Sequence, residues 1–287
     1  AGERGERGVQ RDRIERLVNL GDSLYGPFDP RPVADRLLGL GLPTVAGNED
    51  RVLLEGARGE PVSRTARFTV DRLERRHLDW LASLPRTLRR GDVLLVHGTP
   101  DDDVVYLLTE PRNGRLAARP ISTVSRLLGA ASARAILCGH DHTPSVLRLE
   151  DGRTIVNPGS VGCPAYEDDA LERHVVEAGS PHARYAVVSL ADRVSVELAS
   201  VPYDADDAAD EAARHGFPDW ETWVRTGRVA PRSTVRADDH SPESETGQER
   251  PPRLPRGARR RAVGGGRGEH VEIRRTAPRL DSPSELR

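Results

Sequence analysis

AILCGHDHTP, residues 135–144, decides how this chain is organised. Ala135 to Cys138 read as a short strand buried on both faces, and they run directly into a polar loop holding His140 and His142. Gly139 lets the backbone turn sharply at that junction. Upstream, short apolar runs alternate with amphipathic stretches, which is the pattern of an α/β unit; downstream, hairpins follow one another.

Three earlier segments repeat the strand-then-polar-loop arrangement. Arg16 to Leu20 is strand-like and ends in GDSLYGPFDP, residues 21–30. Pro43 to Ala46 reads as a second strand ending at GNED, residues 47–50, and Asp92 to Val96 runs into HGTP, residues 97–100. Helices are predicted between them. Pro32 to Leu40 carries Val33, Leu37 and Leu40 at helical spacing, Thr69 to Leu84 places Leu73, His77, Trp80, Leu81 and Leu84 on one face, and Ile121 to Ala130 makes a third. In open α/β sheets, sites are built where strands end, so these loops define the candidate site.

Beyond His142, Val146 to Leu149 and Thr154 to Val156 flank a DGR turn, and Tyr185 to Leu190 and Val194 to Leu198 flank an ADR turn, predicting two hairpins. Asp204 to His215 reads as an acidic surface helix. Past Trp223 the sequence is rich in Pro, Arg, Gly, Ser and Glu without aromatics, so residues 228–287 are expected to be disordered. The Arg-rich stretch 252–268 offers at most weak contact with nucleic acid, because nothing in it stacks a base.

Composition narrows the function classes. A net charge of -2 over 287 residues gives no global basic field for nucleic acid. No apolar run reaches membrane-spanning length, and residues 1–16 lack the apolar core of a signal peptide. Cys138 and Cys163 are too few for a disulfide framework, so a reducing, cytoplasmic compartment is expected. The absence of Met suggests an incomplete or processed N-terminus, and nothing in the sequence sets an oligomeric state.

The four loops offer Asp22, Asn48, His97, His140 and His142. A carboxylate able to bridge, an amide oxygen and several imidazoles suit divalent Mn, Fe, Zn, Co or Ni. The ordered set GD, GN-x-D, HG and GH-x-H, followed by a hairpin and NPGSVG at Asn157 to Gly162, resembles the bacterial branch of the calcineurin-like metallophosphoesterases over about residues 12–200. The resemblance implies a four-layer α/β/β/α sandwich of two mixed sheets. It also implies hydrolysis of a phosphomonoester or phosphodiester by a water activated between two metals. One metal takes Asp22, Asn48, His97 and His140; the other shares Asp22 and takes His142 together with an Asp-x-His pair from the family's first strand. Residues 1–11 contain no such pair, so that strand is expected to be missing, leaving a domain over residues 12–227.

Glu49 stands where the family usually has a His that contacts the phosphate and helps the leaving oxygen. Its carboxylate donates a proton only if its pKa is raised, and otherwise repels the ester. Asp22, Asn48 and Glu49 are therefore the expected catalytic positions, with Asn48 and Ser160 against the substrate. Two alternatives compete: a degenerate phosphoesterase fold serving as a scaffold, as in one subunit of the eukaryotic retromer complex, and a fragment of an active enzyme. Singly, each residue has a plainer reading as turn or core. His77 is read as packing, Cys138 likewise, Cys163 as no nucleophile, and His174, His182 and His215 as surface residues.

Overall fold

The computed structural model describes residue 14, residues 16–169, residues 172–230 and the backbone of His270–Arg274. In chain order the elements are β1 (Arg16–Asn19), α1 (Arg31–Leu40), α2 (Asn48–Ala57), α3 (Arg64–Val70), α4 (Arg75–Ser83), β2 (Thr87–Arg90), β3 (Val93–Val96), β4 (Thr109–Arg112), β5 (Arg115–Ala118) and α5 (Ile121–Leu128). They continue with β6 (Ala135–Leu137), β7 (Ser145–Arg148), β8 (Thr154–Asn157), β9 (Ala165–Asp168), β10 (His174–Glu177), β11 (Ala183–Leu190), β12 (Val194–Val201), α6 (Ala205–Arg214), α7 (Pro218–Thr226) and β13 (His270–Arg274).

Two mixed sheets face each other, as the sequence predicted. One runs β2-β3-β6-β8-β7, with β3, β6 and β8 parallel; the other runs β1-β13-β11-β12. Strand alternation explains the layering. Val93, Leu95, Ala135, Leu137 and Val156 point between the sheets to meet Val18, Ala186, Val188 and Val194, while Val96, Ile136 and Ile155 point the other way and pack under α5 through Val124 and Leu128. A larger cluster joins α1 to α4 with α6 and α7 around Tyr25, Leu53, Leu81, Phe217 and Trp220. No helix among the described residues is long and apolar enough to cross a membrane.

Three expectations are corrected. The helix predicted over Thr69 to Leu84 is two helices, because Asp71 ends α3 and the Glu74 amide donates to His77 Nδ1 at 3.2 Å to start α4. Pro43 to Ala46 makes only one parallel bridge, Asn19 to Thr44, and so is barely a strand. A third sheet, β4-β5-β10-β9, was not foreseen. Within residues 228–287, His270–Arg274 form β13, which lies inside a sheet, antiparallel to β1 and parallel to β11. Val271 and Ile273 alternate with polar residues there, which is enough β-forming sequence for a strand that has backbone partners on both sides. Residues 1–11 and 252–268 lie outside the described residues.

Candidate metal centre

The four loops converge as the sequence order suggested. Asp22 follows β1, Asn48 opens α2, His97 follows β3, and His140 and His142 follow β6; all five are buried. Ligand atoms of Asp22, His97 and His140 lie within 4.8 Å of one another. His142 shares the cleft with them, alongside Asn48, Glu49, Tyr166 and Asp168. Three of these residues carry left-handed backbone, with φ of 52° at Asp22, 71° at His140 and 51° at His142. Such conformations cost about 1–3 kcal/mol each and persist where the surroundings over-determine them, which points to a functional constraint on the loops.

Each histidine is oriented by a main-chain carbonyl. His97 Nδ1 lies 2.7 Å from the Leu20 oxygen, His142 Nδ1 lies 2.8 Å from the Cys163 oxygen, and the Val104 carbonyl engages His140. A carbonyl only accepts, so one ring nitrogen of each must donate, which turns the other toward the cleft. At His97 the consequence is specific. Its Nε2 sits 2.9 Å from Asp22 Oδ2 and 3.1 Å from Asn48 Oδ1, so three acceptor atoms meet when the ring is neutral. A metal ion, or a second proton on His97, at the centre of that convergence would satisfy all three.

The electrostatics keep the other donors ready for a metal. Burial, reinforced by the nearby His97 charge, pushes His140 down to about 3, and burial pushes His142 down to about 4, so both are neutral at neutral pH. Burial tends to raise Asp22, but His97, His140 and the Glu49 amide outweigh it, and the carboxyl falls below its ordinary value. The donor set therefore fits a divalent metal held by Asp22, Asn48, His97 and His140.

Two buried carboxylates that spacing did not reveal hold the loops in place. Asp50 Oδ2 accepts from the amides of Asp22 and Gly47, each at 2.9 Å, tying the first loop to the second. A Cβ on Gly47 would run into the Asp22 carboxylate, which is why this close approach needs glycine. Asp141 turns away from the cleft and accepts from Thr109 Oγ1 at 2.6 Å, the Thr143 amide at 2.9 Å and Asn157 Nδ2 at 2.7 Å. Asn157, the first residue of NPGSVG, thereby anchors the GHDH loop. The signal for both carboxylates was present only as the acidic letters inside GNED and GHDH.

Ser160 is buried, and its Oγ accepts from the Cys163 amide at 3.1 Å, within its own turn rather than among the residues lining the cleft. His174, expected at the surface, is buried: its Nε2 meets Tyr106 Oη at 3.0 Å, and that hydroxyl also reaches Tyr166 and Asp168. The reason is the unforeseen third sheet, which covers this side of the cleft. His215 is half-buried, with Nδ1 2.7 Å from the Pro27 oxygen. His77 packs as expected, its Nε2 2.8 Å from Asp35 Oδ1, and Cys138 and Cys163 are buried thiols outside any disulfide.

No curated protein matches the chain. Among solved structures, a metallophosphoesterase from Sphaerobacter thermophilus superposes with a TM-score of 0.55 at 24% identity, covering 75% of this chain and 90% of that one. Vacuolar Protein Sorting 29 from Cryptosporidium parvum aligns at 12% identity with a TM-score of 0.29, over 66% of this chain and 98% of the other. The family profile described as the calcineurin-like phosphoesterase superfamily domain matches residues 6–179, well over half of the sequence. With its loops, ligand geometry and two-sheet fold in agreement, the chain belongs to the calcineurin-like phosphoesterase superfamily and is a hydrolase of phosphate esters.

Proposed function

We propose that the protein hydrolyses a phosphomonoester or phosphodiester with two divalent metals, and the meeting of three acceptors at His97 Nε2 is the observation that carries this reading. Asp22, Asn48, His97 and His140 would hold one ion, and Asp22 with His142 would contribute to the second. Bound there, the metals supply Lewis-acid polarisation of the phosphoryl group and an activated water. Asn48 borders both metal and substrate, Glu49 faces the leaving group from the cleft wall, and Ser160 supports the wall through its turn. Two cysteines outside any disulfide suit a cytoplasmic setting.

The second reading, a binding module that keeps the fold without turnover, draws support from the Glu49 carboxylate in the cleft and from His142 lying outside the Asp22–His97–His140 cluster. One experiment separates them. Metal content by elemental analysis is measured with Mn-dependent hydrolysis of a chromogenic phosphodiester and phosphomonoester, on the wild-type chain and Asp22→Ala. The hydrolase reading expects bound metal and turnover that Asp22→Ala reduces by at least about 100-fold. Metal binding without turnover would leave the binding module.

A further inference from the structure

A second cavity, of about 250 Å3, is walled by Tyr25, Phe217, Trp220 and Trp223, with Ser63 and Arg64 at its edge. Clefts for drug-sized ligands run to roughly 300–1,000 Å3, so this one suits a ring system rather than a whole molecule. Its aromatic walls are braced. Trp220 packs against Tyr25 at 6.2 Å, Phe28 at 5.9 Å and Trp223 at 5.6 Å between ring centres. The Arg64 guanidinium lies 4.3 Å over the Phe217 ring while its Nη1 donates to the Gly216 oxygen at 2.8 Å. Flat faces with a cation and hydroxyls at the rim are the surroundings in which planar, hydrogen-bonding rings stack.

Tyr25 joins this cavity to the metal centre. It belongs to the same GDSLYGP loop as Asp22, lines the cavity, and bonds Ser63 Oγ at 2.9 Å. Burial, and then the negative charge of Glu49, a residue of the metal cleft, raise its phenol.

We infer that this cavity is a subsite for the planar aromatic group of the substrate, so that the enzyme prefers phosphate esters carrying an aromatic or heteroaromatic ring over purely aliphatic ones. The inference rests on the phosphoesterase reading for its link to turnover, but ring binding itself does not require turnover. Two of the three tryptophans, Trp220 and Trp223, line the cavity, and Trp80 does not, so ring binding reports directly on fluorescence.

The test titrates adenosine, which has no phosphate, into the Mn-loaded full chain with excitation at the red edge of tryptophan absorption. Saturable quenching is expected, with half-saturation raised about tenfold in Trp223→Ala, in line with the loss of one stacking partner. Trp223→Leu, which retains apolar volume, should show the same weakening and guards against a folding defect in the alanine variant. In parallel, kcat/KM for phenyl phosphate should exceed that for glycerol phosphate, and both Trp223 variants should narrow the gap through KM. Absence of quenching, or quenching unchanged in both variants, overturns the subsite. Quenching that behaves as expected in a protein with no turnover retains the subsite and instead defeats the phosphoesterase reading.

Discussion

At the scale of single residues, the site depends on buried carboxylates whose chemistry is not catalysis. Asp141 lies between His140 and His142 in sequence yet turns away from the cleft, and burial pushes it up to about 6 despite the bonds from Thr109 and Thr143. An acid whose folded pKa lies above its unfolded value of 3.8 binds more protons when folded, so its contribution is greatest below about pH 4 and is lost as pH rises through about 6. Asp141→Asn removes that penalty. The asparagine oxygen can accept from Thr143 and Asn157, and its NH2 can donate to Thr109 Oγ1, whose hydroxyl reverses role. We expect the metal-free Asp141→Asn protein to gain on the order of 2 kcal/mol relative to wild type between pH 4.5 and 7.5. Urea unfolding at the two pH values measures it, and an offset independent of pH would refute the account. The convergence of Asp22, Asn48, His97, His140 and His142 on one cleft was legible, because Gly-Asp, Gly-Asn and Gly-His pairs at strand ends mark where the polar loops leave the sheet. Asp50, Asp141 and the Tyr106–Tyr166–Asp168–His174 group were not, since their roles come from contacts between segments distant in sequence.

At the scale of elements, hydrophobic spacing located the parallel strands β3 and β6 and both long hairpins, because alternation and burial follow directly from the side chains. It failed where backbone hydrogen bonding decided. Leu73, His77 and Leu81 keep helical phase across the break between α3 and α4, so the pattern alone could not show that Glu74 restarts a helix. The two helix ends closed by left-handed glycine make a controlled comparison. Gly41 caps α1 with φ 58° and has nothing within 4 Å of the position a Cβ would take, whereas at Gly227, capping α7 with φ 65°, a Cβ would come within 2.5 Å of the Ser180 nitrogen and oxygen. Gly41→Ala should therefore cost about 1 kcal/mol, the left-handed term alone. Gly227→Ala should cost about 2–4 kcal/mol, because it also parts α7 from the Gly179 amide that donates to the Gly227 oxygen at 2.9 Å. Denaturant midpoints of the two variants check the difference, and equal losses would show that the Ser180 contact relaxes freely.

For the whole molecule, the decisive feature is that the sheet carrying Asp22 is completed from the far end of the chain. β1 and β11 do not pair with each other; β13 stands between them and bonds to both, over four register pairs on one side and five on the other. The composition of residues 228–287 hid this, since five strand-forming residues are diluted among many polar ones and their partners lie about 80 or more positions away. An interior strand tolerates proline poorly, because each interior amide belongs to a ladder. Val271→Pro is thus expected to lower unfolding stability by about 2 kcal/mol or more, although it lies 249 positions from Asp22 in sequence. Because β1 delivers Asp22 to the cleft, the same variant should also weaken Mn binding, whereas Ala230→Pro, outside any strand, should change neither. Calorimetric titration with Mn alongside urea unfolding reads both consequences. Loss of stability with unchanged Mn affinity would mean that the GNED and GHDH loops hold Asp22 without help from the sheet; loss of both would tie the metal centre to the closure of the sheet by β13.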